Sequence, residues 1–161
     1  MKLTNKYMKN EPFLSLHSLK KISVSLLFVF TFGCSKEDIK RNPFLYEVSF
    51  NHVINLNLPE YDNLNFAGGS KFVPYGGING LLIFNINGTD IFAWEASCSN
   101  HKLEVCSKLS IEGLLANCGC DNFKYSLASG QLLEGDIENS LQYPLLNYRS
   151  EKFGKTIIIS N

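Results

Sequence analysis

The stretches "CSNHKLEVC", Cys98–Cys106, and "NCGCDNFKYSLASG", Asn117–Gly130, place four cysteines and one histidine within the 25 residues from Cys98 to Asn122. Strand-like sequence enters and leaves each cluster: "TDIFAWEA", Thr89–Ala96, precedes the first, and "GLLANC", Gly113–Cys118, leads into the second. Two cysteine loops carried at strand ends of one small domain can close on a common point. A metal site and a disulfide staple both need that arrangement.

Working outward, the chain alternates short apolar runs with turn residues. "FLYEVSFNHVINLNL", Phe44–Leu58, alternates apolar and polar residues and predicts one or two strands, with His52 on a strand surface. "PEYDNLNFAGGS" predicts a loop and "KFVPY", Lys71–Tyr75, a short strand. Gly76-Gly77 and Asn79-Gly80 predict turns. No strand–glycine loop–helix pattern follows them, so they do not form a phosphate cradle of the usual kind. "LLIFNI", Leu81–Ile86, is a continuous apolar strand, and Asn87-Gly88 is a hairpin signal joining it to Thr89–Ala96. "KYSLASGQLLEGD", Lys124–Asp136, predicts a strand, a Ser129-Gly130 turn and a strand. "LLNYRS" and "KTIIIS" predict the last two strands, joined across "EKFG". Helical periodicity is nearly absent. The expectation is a small all-β domain of antiparallel strands, a sandwich or barrel.

The first 33 residues differ in kind. Lys2, Lys6, Lys9, Lys20 and Lys21 precede the uncharged run "ISVSLLFVFTF", Ile22–Phe32, which ends at Gly33-Cys34. Eleven apolar residues fall short of the ~20 that a spanning helix needs. A basic region, an apolar region and a small residue are the order of an export signal. Gly33-Cys34 resembles the lipobox of bacterial lipoproteins, in which the cysteine is lipidated and becomes the first mature residue. The expected organisation is a signal peptide at 1–33, the lipidated Cys34 with a polar tether at 34–43, and the β-domain at 44–161. Translation starts at Met1 or Met8. "SKED", Ser35–Asp38, resembles a signal that sends some lipoproteins to the cell surface. The expected location is the outer membrane, periplasm or cell surface, with lipid on Cys34 holding the chain to the membrane.

Cleavage changes the charge. Residues 1–33 hold five Lys and one Glu, so the zero formal charge of the whole chain becomes ten basic against fourteen acidic side chains, a net of −4. That excludes the basic face that nucleic acid requires. Four cysteines remain after Cys34, an even number in an exported chain, which favours disulfides.

The cysteine loops resemble those of the Rieske family, β-domains that hold a [2Fe–2S] cluster between a C-x-H loop and a C-P-C-H-G-S-x-F-D loop. Aligned without gaps, Cys118 takes the ligand cysteine of the second loop and Cys120 the family's additional cysteine. Tyr125 takes the aromatic position, and Leu127, Ala128, Ser129 and Gly130 match the end of the motif. "LLEGD", "YPLLNY" and "GKTIIIS" continue the likeness, which runs from about Gly76 to Ser160. The resemblance implies electron transfer through a cluster. It also implies a disulfide between Cys106 and Cys120, which stand where the family has its bridging pair.

The ligands depart from the pattern. Asp121 stands at the second-loop histidine, Asn100 at the first-loop histidine, and His101 is one residue late. Asn122 and Phe123 replace the Gly-Ser pair. A Rieske cluster takes two cysteines on one iron and two imidazoles on the other. The mature chain has only His52 and His101, and His52 is remote in sequence. The expectation is therefore a disulfide-stapled, non-redox module without a cofactor, with Cys106–Cys120 and Cys98–Cys118 both bridged, acting on an envelope protein partner. Two alternatives stay open. One is a modified [2Fe–2S] cluster on Cys98, His101, Cys118 and Asp121, which would make the chain an oxidoreductase component. The other is zinc in the same loops, with Cys98, His101, Cys118 and Cys120 as donors. Trp94 and Tyr125 are expected in the core and Phe123 exposed in its loop. No catalytic residue is identified: the Cys98/His101 pair lacks a third, orienting group.

Overall fold

The computed structural model describes residues 41–135 and 142–161. The expected signal peptide, Cys34 and most of the expected tether lie outside the described residues. The described chain, Arg41–Asn161, forms a compact unit of its own.

Ten strands make two antiparallel sheets among the described residues. The larger has the order β1 (Asn51–Asn55), β10 (Thr156–Ser160), β9 (Asn147–Phe153), β4 (Ile91–Glu95), β3 (Leu81–Asn85), β2 (Ser70–Val73). The smaller is β5 (Leu109–Glu112), β6 (Leu115–Cys118), β7 (Lys124–Ser126), β8 (Leu132–Glu134). The all-β expectation holds.

The β3–β4 hairpin shows why the apolar runs sit where they do. Every residue of β3 is buried, because the strand has a core on each face. Successive side chains alternate faces. Leu82 and Phe84, with Trp94 across the ladder, pack with Leu109, Ala116, Tyr125 and Leu127 of the smaller sheet and its flank. Leu81 and Ile83 face the other way, onto Ile54, Leu64, Tyr148, Ile157 and Ile159. Cys98 and Cys118 belong to the first core. The candidate site therefore stands on packed strands rather than on a free loop.

Three local expectations change. The strand expected over Phe44–Leu58 is confined to Asn51–Asn55; Asn42 ties down the start of the preceding segment by accepting from the N–H groups of Phe44 and Leu45. The loop after Leu58 contains a 3-10 helix, Pro59–Asn65, started by a proline whose fixed φ suits a first helical position and anchored by buried Leu64. Strand β5, between the cysteine loops, was not anticipated. It pairs with β6 in the register Leu109↔Cys118 to Glu112↔Leu115.

The Gly76–Gly80 turn is an anion cradle of an internal kind. The fully buried Glu95 at the end of β4 accepts from Ile78 N (2.7 Å), Asn79 N (3.0 Å), Ser97 Oγ (2.7 Å) and Tyr148 Oη (2.7 Å). Gly77 has φ +64°, and a Cβ there would collide with Glu95 Oε2. Burial and the neighbouring carboxylate push the Tyr148 phenol above its ordinary range, so it stays a donor.

Candidate metal centre in the cysteine loops

The first loop leaves β4 and is pinned at both ends. Cys98 N donates to Ser107 O, and Ser97 bridges Lys108 in the antiparallel sense. A single 3-10 turn, Val105–Ser107, carries Cys106. Asn42, at the end of the expected tether, donates its side-chain amide to Ser99 O at 2.8 Å. Asn42 is thus fastened to the first cysteine loop. In the second loop Cys118 N donates to Phe123 O, closing a tight turn. Its corner residue, Asn122, has φ 55°, the described non-glycine residue with positive φ. Asparagine tolerates that conformation better than most side chains, so it keeps the corner that the resemblance assigns to glycine.

Cys106 and Cys120 form a disulfide between the loops, as the resemblance implies. Cys120 is therefore not free as a zinc ligand, and the zinc set containing it is overturned. Cys98 and Cys118 are thiols. The second bridge of the sequence-based expectation is not formed.

Cys98 Sγ, His101 Nε2 and Cys118 Sγ lie within 4.8 Å of one another. His101 Nε2 is 3.0 Å from Cys118 Sγ. His101 Nδ1 is 2.7 Å from Lys102 O; a carbonyl only accepts, so Nδ1 carries the proton. Tyr125 Oη stands 3.2 Å from Cys98 Sγ. Cys98 and Cys118 are buried, and the His101 side chain is 15% exposed. Asp121 is the rim: its Oδ2 is 3.8 Å from His101 Nε2 and its side chain is 48% exposed. It borders the three convergent donors rather than joining them.

Charge in the site is unequal. The Cys98 thiol donating toward Cys118 and backbone N–H groups of the second loop, joined by His101, hold the Cys118 sulfur down to about 5 despite burial. The hydrogen bond to Cys118 and burial push Cys98 well above the thiol range. For His101, burial lowers the pKa, but the Cys118 hydrogen bond, the Lys102 carbonyl and the Cys118 and Asp121 charges outweigh it and raise it.

Asn100, at the histidine position of the resemblance, does not enter the site as a ligand. Its amide donates to Tyr125 Oη (2.9 Å) and Tyr143 O (2.8 Å), and its oxygen accepts from Tyr143 N (2.8 Å). It fastens the first loop to the segment before β9. Phe123 is buried, contrary to expectation. The left-handed corner at Asn122 turns it inward, where it lies against Gly135, at which any Cβ would collide with the ring. Trp94 and Tyr125 are core residues as expected, Trp94 donating from its indole to Leu127 O at 2.8 Å. His52 lies in β1, stacked on Tyr75 with ring centroids 5.8 Å apart, and is not part of the donor group.

A two-iron Rieske cluster does not fit these donors. The second iron needs two imidazoles, and one is present. That one lies in contact with the Cys118 sulfur, whereas ligands on opposite irons stand apart across the cluster. Asn100, the other first-loop residue at a histidine position, is spent on Tyr125 and Tyr143.

No known family model matches the chain, and no curated protein sequence matches it. Among solved structures, similar chains occur in the complex of reduced oxygenase and oxidized ferredoxin in carbazole 1,9a-dioxygenase (16% identity, 58% of this chain and 89% of that one, TM-score 0.39) and in a Sphingomonas yanoikuyae B1 ferredoxin (16%, 59% and 87%, TM-score 0.39). Another is the ferredoxin of carbazole 1,9a-dioxygenase from Nocardioides aromaticivorans IC177 (13%, 70% and 97%, TM-score 0.40). The chain's own two antiparallel sheets, its pair of cysteine loops and the disulfide between them agree with the Rieske resemblance of its sequence, while the residues at the histidine positions depart from it.

Proposed function

We propose that the protein is a lipid-anchored, Rieske-like module of the bacterial envelope that does not transfer electrons through a [2Fe–2S] cluster. The observation that carries this reading is the fate of the two histidine positions. Asn100 holds Tyr125 and Tyr143, and Asp121 stands half-exposed at the rim. The imidazole pair that raises a Rieske potential is absent. The disulfide between Cys106 and Cys120 keeps the loops together without a cluster. The module then acts by contact with an envelope partner, presented by its anchor.

Iron and acid-labile sulfide, assayed on the full chain purified without oxygen from an exporting host, test the redox part. The expected result is a colourless protein with neither. A stoichiometric pair of irons with sulfide would overturn the reading. Asn100→His combined with Asp121→His is expected to stay colourless, because Asn100→His removes the Tyr143 contacts instead of placing a ligand. Loss of those buried hydrogen bonds costs about 2–3 kcal/mol, readable in denaturant unfolding.

The anchor rests on Gly33-Cys34 following the basic and apolar regions. Cys34→Ala is expected to move the protein from the membrane fraction to the soluble fraction and to abolish incorporation of labelled fatty acid. Unchanged labelling would remove the lipoprotein assignment.

A further inference from the structure

We infer that Cys98, His101 and Cys118 form a mononuclear site for a thiophilic divalent cation, zinc being the ion whose preferences they match. The inference rests on the reading above that no two-iron cluster occupies these loops.

Three independent features point to one ion. The first is spacing. Zinc bonds to sulfur at about 2.3 Å and to imidazole nitrogen at about 2.0–2.1 Å in a tetrahedron, which sets donor atoms ~3.5–3.8 Å apart. The three donor atoms here all lie within 4.8 Å of one another, with His101 Nε2 3.0 Å from Cys118 Sγ, close enough to share one ion.

The second is the histidine tautomer. Nδ1–H donates to Lys102 O, leaving the Nε2 lone pair directed at Cys118. A metal-bound histidine is held in this way, its other ring nitrogen donating to a carbonyl or carboxylate.

The third is the surroundings. Tyr125 Oη, at 3.2 Å from Cys98 Sγ, is a donor for a thiolate. Cys118 ends β6 and Cys98 follows the Ser97–Lys108 bridge, both buried, so the two sulfurs are held by the core. The fourth position opens toward Asp121, and either its carboxylate or water completes the tetrahedron. Because Cys106 and Cys120 are joined to each other, Cys120 does not compete, and the tight Cys118-Gly119-Cys120 spacing places no strain on the ion.

The test uses the full chain in detergent, purified without oxygen and without chelator, and incubated with zinc chloride. Native mass spectrometry is expected to show one zinc per chain. Cobalt substituted for zinc is expected to give the intense visible bands of tetrahedral coordination and a thiolate-to-metal charge-transfer band. Cys98→Ser and Cys118→Ser should abolish the charge-transfer pattern of two thiolates. His101→Ala should weaken zinc retention by at least ~10-fold, the lower bound for disturbing even an outer partner of a metal ligand. Each variant is compared only where it keeps the Cys106–Cys120 bridge and the β-type circular dichroism of the parent.

A folded parent chain that takes up no zinc, or a cobalt form without thiolate charge transfer, would overturn the inference and leave the proposed function standing. Persistence of the thiolate bands in Cys98→Ser together with Cys118→Ser would do the same. Two irons with two sulfides would overturn both.

Discussion

Glu95→Ala should cost about 4 kcal/mol, a large part of the ~5–15 kcal/mol that holds a domain of this size. The carboxylate is fully buried and accepts four hydrogen bonds, from Ile78 N, Asn79 N, Ser97 Oγ and Tyr148 Oη. Removing it leaves two backbone N–H groups and two hydroxyls without their acceptor. Each unsatisfied buried donor costs ~1–3 kcal/mol, reduced where the turn relaxes to admit water. A residual cavity adds to the loss. Glu95→Gln is the control. It keeps the shape and one good acceptor oxygen, but its amide nitrogen faces donors, so it should cost about half as much. Urea unfolding of the parent and both variants reads these differences directly. A loss under about 1 kcal/mol for Glu95→Ala would mean that the Gly76–Gly80 turn is held by something other than the carboxylate. Asn79 also donates its side chain to Ser97 Oγ at 2.9 Å, so the same variant should loosen the chain just before Cys98. The cradle thus connects the glycine turn to the first cysteine loop.

The glycine turn illustrates what could be read from sequence and what could not. Gly76-Gly77 and Asn79-Gly80 announce a tight turn, but nothing in the sequence pattern marks Glu95 as its partner. Only the fold puts the two together, because β3 and β4 run antiparallel and bring Glu95 opposite Leu81. The strands with strong patterns, β3, β4 and the β9–β10 hairpin, were legible because apolar residues and a glycine turn agree locally. Strand β5 was not. "LSIE" is short, lies between cysteine loops, and is a strand because β6 pairs with it. Phe123 was misread for a related reason. Its neighbours Asp121, Asn122 and Lys124 are polar, but its burial depends on φ at Asn122 and on the hollow at Gly135, twelve positions on.

At the candidate site the sequence carried the residue types, and the fold brings His101 beside Cys98 and Cys118 despite its displaced position. The sequence did not carry the direction of Asn100. Its three partners belong to Tyr125 and Tyr143, and the contacts to Tyr143 span 43 residues. Nor could it separate a free Cys98/Cys118 pair from a bridged one. Both are compatible with two sulfurs brought close, and the proximity of His101 to Cys118 is a property of the folded loop.

Replacing both Cys106 and Cys120 by alanine should destabilise the domain by about 3 kcal/mol. The bridge spans a sequence separation of 14, and closing a loop of about 15 residues removes roughly that much free energy from the unfolded ensemble. The native side of the balance is modest by comparison. Both residues lie toward the surface, and most of the buried core around Leu82, Trp94, Tyr125 and Leu127 is untouched by the change. Because the effect comes chiefly from the unfolded chain, the variant should keep the parent's circular dichroism and unfold at lower denaturant. Its dependence on denaturant should steepen, since an uncrosslinked chain exposes more surface on unfolding. Reducing the parent with a thiol reagent should reproduce the same shift without any substitution. Saturating zinc separates the two roles of the cysteines. If Cys98, His101 and Cys118 hold the ion across both loops, zinc at about 100 times its dissociation constant should return roughly 2.7 kcal/mol to the alanine variant. The ion then ties together the loops that the disulfide no longer joins. A variant as stable as the parent would show the bridge to be incidental to the fold. A destabilised variant that zinc fails to recover would mean that the folded loops hold no ion in preference to the unfolded chain, against the zinc site.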